Sequence, residues 1–347
     1  MVKEIKVGNR KIGDGHPCFI IAEAGSNHNG KLNLAKKLID VATEAGADAV
    51  KFQTFRASKL YVPNAGSSDY LNDPTPIYKI IESMEMPYSW LPRLANYCKK
   101  RKIIFLSSVF DEESARKVNP YVAAHKIGSF ELNHFPLISY VAALKKPIIL
   151  STGVSDLEEI KSALKTIRRK SQKICLMHCI SAYPAPLNSL NLQVIPKIKS
   201  IFKIPVGFSD HTRDPLIAPL GAVALGANLI EKHFTLSNKL PGPDHKFALE
   251  PDELKLMVKK IRALEPTLGK EEKMIQTVEK ELFRFAKRSI QAIKDIKRGD
   301  LFSEKNIAIL RPGKQDQGVS PKYWPIILGR KSKCNLKKGQ GAPKQCF

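Results

Sequence analysis

The stretch "IPVGFSDHTRDP", residues 204–215, decides how the chain is read. It begins as an apolar run suited to a buried strand and ends in Ser209, Asp210, His211 and Thr212. Polar groups able to ligate a metal gain nothing at the end of a buried strand unless that end opens into a cavity. Working outward, the question is whether other strands end the same way and whether their ends meet.

Seven more short apolar runs share the pattern: "CFIIAEAG" (18–25), "AVKFQT" (49–54), "IIFLSSV" (103–109), "AHKIGS" (124–129), "PIILST" (147–152), "KICLMHC" (173–179) and "LIEKHFT" (229–235). Segments of helical period separate them, such as "NLAKKLIDVATEAG" with Leu34, Leu38, Ile39 and Ala42 on one face. "SDLEEIKSALKTIRRK" offers Ser155 as N-cap with acidic residues in the first turn, and "EPDELKLMVKKIRALE" places Pro251 at the first helical position. Near-continuous apolar strands alternating with helices predict a parallel sheet covered on its faces. Eight such units within residues 1–265 predict an α/β fold of the closed (β/α)8 TIM-barrel type. Residues 52–86 form an unusually long second connection, the kind that serves as a lid. Residues 266–287 read as a charged linker and 288–347 as a small, mainly β domain. Two similar turns in it, Lys297-Arg298-Gly299 and Lys337-Lys338-Gly339, suggest an internal duplication.

In such a barrel all C-terminal strand ends share one mouth. Here they carry Glu23; Lys51 and Gln53; Lys126, Ser129 and Glu131; Ser151, Thr152 and Gly153; His178, Ser181 and Tyr183; Asp210 and His211; Lys232 and His233. His211 and His233, at the ends of neighbouring strands, form a pair able to hold one divalent ion in an open site, which favours Mn²⁺, Mg²⁺ or Co²⁺ over a closed structural zinc. Either histidine alone is as compatible with barrel packing. Lys51 and Lys126 lie inside apolar strands, where an ammonium group needs an anion. Ion pairs with Glu23 or Glu131 are one solution; a pocket for a multiply charged small anion, with Ser129 and Ser151 adding hydroxyl donors, is the other. Glu23 is read either as a counter-ion or as an acid/base group.

Bulk properties remove several classes. The net charge of +24 is spread along the chain, with 14 Lys/Arg against 4 Asp/Glu from Arg288 onward, and no basic tract or aromatic interleaving marks a nucleic-acid surface. No apolar leader or membrane-length run is present, so a soluble, cytoplasmic protein is expected. No GxGxxG or Walker A motif points to a nucleotide. The six cysteines, at 18, 98, 175, 179, 334 and 346, include no CxxC pair, and reduced, mostly buried thiols are expected.

The motifs "FIIAEAGSNHNG", "GADAVKFQTF", "HKIGSFEL", "KPIILSTG", "YPAP", "GFSDHT", "LGANLIEKHFT" and "LPGPDH", in this order, resemble those of the sialic acid synthase family, and "SIQAIKDIKRGDLFSEKNIAILRPG" resembles its antifreeze-like (SAF) domain. The resemblance implies condensation of phosphoenolpyruvate with an N-acylhexosamine, usually N-acetylmannosamine, to give a nine-carbon keto acid and phosphate. It implies that His211 and His233 bind the metal, that Lys51, Lys126, Ser129, Ser151 and Ser181 hold phosphoenolpyruvate, and that Gln53, Glu131, Tyr183 and Asp244 position the sugar. Glu23 would transfer protons. It further implies a homodimer in which the small domain of one subunit covers the barrel mouth of the other, bringing Arg311 to the sugar's acyl group. Two features depart from the sialic acid branch. Ser181 stands where its members carry Asn in "TNIYP", and "SFE" (129–131) with "SAYPAP" (181–186) looks closer to pseudaminic acid synthases and spore-coat polysaccharide relatives. An acceptor of the 2,4-diacetamido-trideoxyhexose type is therefore the alternative. The competing classes are a Schiff-base aldolase, which needs a desolvated lysine free of anions, and a basic polyanion-binding module, which salt-dependent DNA retention would reveal.

Overall fold

The computed structural model of the chain describes residues 4–69 and 73–347. It divides into two compact units, Met1–Gly269 and Lys270–Phe347. A hairpin of β1 (Ile5–Val7) and β2 (Arg10–Ile12) precedes the barrel strands β3 (Phe19–Gly25), β4 (Ala49–Thr54), β5 (Ile104–Val109), β6 (His125–Ile127), β7 (Ile148–Ser151), β8 (Ile174–Cys179), β9 (Val206–Asp210) and β10 (Leu229–His233). These eight close in sequence order, β10 pairing β3, with every barrel ladder parallel. The expected closed barrel is the fold.

The helices form the outer layer: α1 (Leu32–Glu44), α2 (Ala57–Leu60), α3 (Ile77–Ser83), α4 (Trp90–Arg101), α5 (Glu112–Val118), α6 (Phe135–Ala143), α7 (Leu157–Arg168), α8 (Val194–Phe202), α9 (Ile217–Ala224) and α10 (Pro251–Leu268). Helix α1 buries Ala35, Leu38, Ile39 and Ala42, a face of 3.6-residue period turned to the sheet. Helix α7 corrects a detail: its N-cap is Asp156, not Ser155, with Glu159 completing a capping box. Helix α10 starts at Pro251 behind a Glu250–Glu253 capping box and continues to Leu268, three residues beyond the point where the linker was expected. The long connection contains α2 and α3; its residues 70–72 lie outside the described residues.

The barrel interior is layered by the period of two along each strand. Phe19, Ile21, Ala49, Leu106, Ala124, Ile149, Cys175, Met177 and Leu229 pack together at the lower end, against Ile5, Val7 and Ile12 of the hairpin, which plugs the bottom. The residues between them in sequence, such as Ile20, Val50, Leu176, Phe208 and Ile230, face the helices. Continuing the inward row upward, the same strands offer Glu23, Lys51, Gln53, Ser108, Lys126, Ser151, Cys179, Ser209, Glu231 and His233. An apolar floor thus changes to a polar rim within two residues on nearly every strand.

The second unit holds α11 (Lys280–Phe285), the antiparallel pair β11 (Ser289–Ala292) and β12 (Ile307–Leu310), and α12 (Trp324–Ile327). Its core includes Ile290, Ile296, Phe302, Ile307, Ile327 and Leu336. The two similar turns are related in the fold: Ile296 and Leu336, just ahead of them, exchange both backbone hydrogen bonds at 2.8 Å. The expectation of six thiols is corrected here, because Cys334 and Cys346 form a disulfide; Cys18, Cys98, Cys175 and Cys179 are free and buried. Among the described residues no helix is long and apolar enough to cross a membrane.

Candidate active site

Strand register places the rim residues side by side. Glu23 pairs in register with His233 on one side and Lys51 on the other, Gln53 lies opposite Ser108, and Ser108 opposite Lys126. Lys51 Nζ lies 2.8 Å from Glu23 Oε2 and donates to Ser108 Oγ at 2.9 Å. Gln53 Nε2 donates to Glu23 Oε1 at 2.9 Å. Lys126 Nζ donates to Ser151 Oγ at 2.8 Å. Between the two lysines stands a residue that sequence reasoning missed: Glu231 Oε1 is 3.6 Å from Lys51 Nζ and 3.5 Å from Lys126 Nζ, and accepts from Ser209 Oγ at 3.2 Å. Its signal was the strand period, since Glu231 is the inward residue two before His233.

Burial sets the electrostatics. It pushes the Glu23 carboxyl up, against the opposing pull of Lys51. It also opposes the charge on Lys51, but Glu23 and Glu231 more than offset this and raise its pKa. Lys126 is lowered by burial, with Glu231 as the main counterweight. Glu131, buried with Oε2 lacking any hydrogen-bond partner, is pushed up to about 7 by desolvation, Lys126 pulling the other way.

The two histidines meet, with ring centroids 5.4 Å apart. Desolvation, helped by His233, pushes His211 down to about 3, so the ring is neutral. Its Nδ1 faces the Ile180 carbonyl at 2.8 Å and must carry the proton, which leaves Nε2 with a lone pair. His233 Nδ1 is buried without a hydrogen bond, 3.4 Å from Asp244 Oδ2. A neutral imidazole and a neighbour with an orphaned nitrogen fit a divalent ion bound in an open site. Among the described residues no group of three or more His, Cys, Asp or Glu side chains is arranged to hold a metal ion, so the two imidazoles would be its protein ligands. Asp244 reaches the rim from the loop after β10, its carboxyl held below the usual range by His233 in spite of burial. That approach requires Gly25: at φ +52°, a Cβ there would come within 3.1 Å of Asp244 Oδ2.

Tyr183 covers the pair, its ring 4.1 Å from His211 and 5.4 Å from Phe247, a second residue not foreseen, which itself packs 5.1 Å from His233. On the opposite side of the mouth Ser129 Oγ accepts from the Gly153 amide at 3.0 Å. Ser181 Oγ is buried without a partner. A Cβ at Gly153 would approach Ser181 Oγ to 2.3 Å and Ser129 Oγ to 3.0 Å, so both hydroxyls crowd the space a side chain would fill.

Three rim assignments fall. His178 faces the helices, packs on Phe208 and bonds the Leu190 carbonyl at 2.7 Å. Asp210 and Lys232 also face outward, paired at 2.6 Å. The inward side chains at those levels are Cys179, Ser209 and Glu231, one residue away. Arg311 is exposed, just after β12 in the second unit.

The C-terminal rim of a closed (β/α)8 barrel thus gathers buried ammonium groups, hydroxyls, carboxyls and paired imidazoles in one place. The chain belongs to the NeuB family, whose model matches residues 38–273, and carries a SAF domain at residues 287–347. It is a phosphoenolpyruvate-dependent condensing synthase of the sialic, legionaminic and pseudaminic acid type. It is 44% identical to the spore coat polysaccharide biosynthesis protein SpsE of Bacillus subtilis over 93% of this chain and 91% of that one. It is 42% identical to N,N'-diacetyllegionaminic acid synthase of Campylobacter jejuni over 93% and 98%. Among solved structures, N-acetylneuraminic acid synthetase from Leptospira borgpetersenii superposes with a TM-score of 0.75 at 34% identity, covering 81% of this chain and 95% of that one.

Proposed function

We propose that the protein joins phosphoenolpyruvate to a 2,4-diacetamido-trideoxyhexose, giving a nine-carbon diacetamido keto acid and phosphate. The observation that carries the condensation is the convergence of Lys51, Lys126, His211 and His233 on one rim. The acceptor differs from the first expectation of N-acetylmannosamine. Higher identity to a diacetyllegionaminic acid synthase than to the N-acetylneuraminic acid synthetase supports the alternative, as does Ser181 in place of Asn.

Lys51, Lys126, Ser129, Ser151 and Ser181 hold the carboxylate and phosphate of phosphoenolpyruvate, and Gly153, having no side chain, leaves room for the hydroxyls. Gln53, Glu131, Tyr183 and Asp244 seat the open-chain sugar. His211 and His233 hold a divalent ion, Mn²⁺, Mg²⁺ or Co²⁺, which when bound polarises the aldehyde. C3 of phosphoenolpyruvate forms a bond to the aldehyde carbon while water adds at C2, and Glu23, whose carboxyl pKa burial raises, takes the proton of that water and passes it to the developing alkoxide. The C2–O bond to phosphate then breaks, the hemiketal hydroxyl proton leaves with the phosphate, and the ketone remains. Arg311 reaches the acyl group from the small domain of a second copy in a swapped homodimer.

With Mn²⁺, purified protein is expected to release phosphate from phosphoenolpyruvate only when an acceptor is present, faster with the diacetamido sugar than with N-acetylmannosamine, and not after EDTA. Release without sugar, or undiminished after chelation, would refute the condensation; preference for N-acetylmannosamine would refute the acceptor. Mixing inactive His211→Ala and Arg311→Ala proteins is expected to restore activity, and no recovery would exclude the swap.

A further inference from the structure

We propose that Glu231 is the positioning residue of the phosphoenolpyruvate pocket, a fixed carboxylate beneath the rim that holds Lys51 and Lys126 convergent so that both face the ligand. The inference rests on the reading of this mouth as that pocket.

Three observations place it. Glu231 is buried, the inward residue two before His233 on β10, and its Oε1 stands between the two ammonium groups. A single oxygen, Oε1, serves both lysines at 3.5 and 3.6 Å, distances at which it attracts them without claiming their N–H groups as short hydrogen bonds. Ser209 Oγ donates to the same oxygen at 3.2 Å and fixes its rotamer, while Oε2 is buried without a partner. Lys126 makes its short hydrogen bond to Ser151, which leaves N–H groups to spare for a ligand. Two ammonium groups this close repel each other; Lys51 keeps its short contacts to Glu23 and Ser108, so without the shared counter-ion Lys126, whose ion pair is with Glu231, would turn away. Glu231 touches no reacting atom in this arrangement. It acts through the lysines.

The test compares Glu231→Gln and Glu231→Asp with wild type by steady-state kinetics and by calorimetric binding of phosphoenolpyruvate itself. Glu231→Gln keeps shape and the Ser209 contact but loses the charge. KM and Kd for phosphoenolpyruvate are expected to rise about tenfold or more, with kcat within threefold and the sugar KM unchanged. Glu231→Asp keeps the charge but loses reach, and is expected to fall between the two. A Kd that is unchanged or lower in Glu231→Gln would show that the carboxylate only dilutes positive charge, and would overturn the proposal. A loss in kcat at constant phosphoenolpyruvate KM would overturn it as well, by placing Glu231 at the chemistry. If the Gln variant fails to fold, the Asp variant decides alone on the same split between KM and kcat. Should wild type bind phosphoenolpyruvate yet show no sugar-dependent phosphate release, the functional reading fails while the binding comparison still decides the role of Glu231.

Discussion

Two neighbours on β10 bury charge in opposite ways. Lys232, facing the helices, is saturated: its ammonium group meets Asp210 Oδ2 at 2.6 Å, the Thr212 carbonyl at 2.5 Å, Thr212 Oγ1 at 3.0 Å and the Asp214 carbonyl at 3.1 Å. Glu231, facing the mouth, shares one oxygen at longer range between two lysines and leaves the other unpaired. Saturated pairs of the first kind fix loops, since every lone pair and proton is already used. Unsaturated clusters of the second kind keep capacity in reserve, which is what a ligand site requires. Degree of satisfaction, more than burial, separates the wall of this barrel from its site.

The largest effect expected from this contrast is catalytic. Lys126→Met removes a cation that has spare hydrogen-bonding capacity, and should lower kcat/KM by about 10³-fold, as the loss of a group aimed at developing or transferred charge does elsewhere. Its melting temperature should stay within a few degrees of wild type, because Lys51 still balances Glu231. A comparable fall in stability with near-normal turnover would erase the distinction between the clusters.

Lys232→Met reverses the pattern. It strands Asp210 in a buried site, and the loss should be about 3–5 kcal/mol of stability, read by denaturant unfolding. Protein that remains folded is expected to bind phosphoenolpyruvate with Kd within threefold of wild type. A tenfold weaker Kd would move Lys232 into the site and break the comparison from the other side.

Most of this contrast was legible in the residues before any coordinates, and the errors share one cause. Glu23, Lys51, Gln53, Lys126, Ser151 and His233 all fall on the inward row because apolar strands of period two admit only one register against a packed floor. His178, Asp210 and Lys232 were misplaced by ignoring that same period: terminal position on a strand does not decide the face, parity does. Cys179, Ser209 and Glu231 were the residues that parity would have chosen. Phe247 lies in the loop beyond β10, where no period applies, and Asp244 came only from the family motif. The Cys334–Cys346 disulfide depends on the chain folding back over 12 residues, a geometry that spacing does not reveal.

A smaller effect tests the crowded side of the mouth. Gly153→Ala would drive a methyl group against Ser181 Oγ and Ser129 Oγ, both of which can rotate, and to 3.3 Å from the Cys179 carbonyl, which cannot, so the barrel should fold with a modest loss of stability. The displaced hydroxyls no longer converge, and KM for phosphoenolpyruvate should rise about tenfold with little change in kcat. Unchanged KM would mean that these hydroxyls are packing groups, closer in kind to the wall than to the site.

The last effect is a pH dependence at Glu131. Its carboxyl is raised from an ordinary value of 4.5 to about 7 by burial, so the folded protein holds a proton that the unfolded chain releases. Below pH 4.5 both states are protonated and the group costs nothing. Between 4.5 and 7 the unfolded chain ionises first, and stability falls as pH rises; above 7 the cost is constant. Glu131→Gln removes the titration, so its stability relative to wild type should grow across that window by up to about 3 kcal/mol and then level off. Chemical denaturation of both proteins at pH 4, 5.5, 7 and 8 measures this directly. A difference that stays flat over the series would mean that Glu131 is satisfied at neutral pH, as Lys232 is, and that the orphaned Oε2 marks no reserve for a ligand.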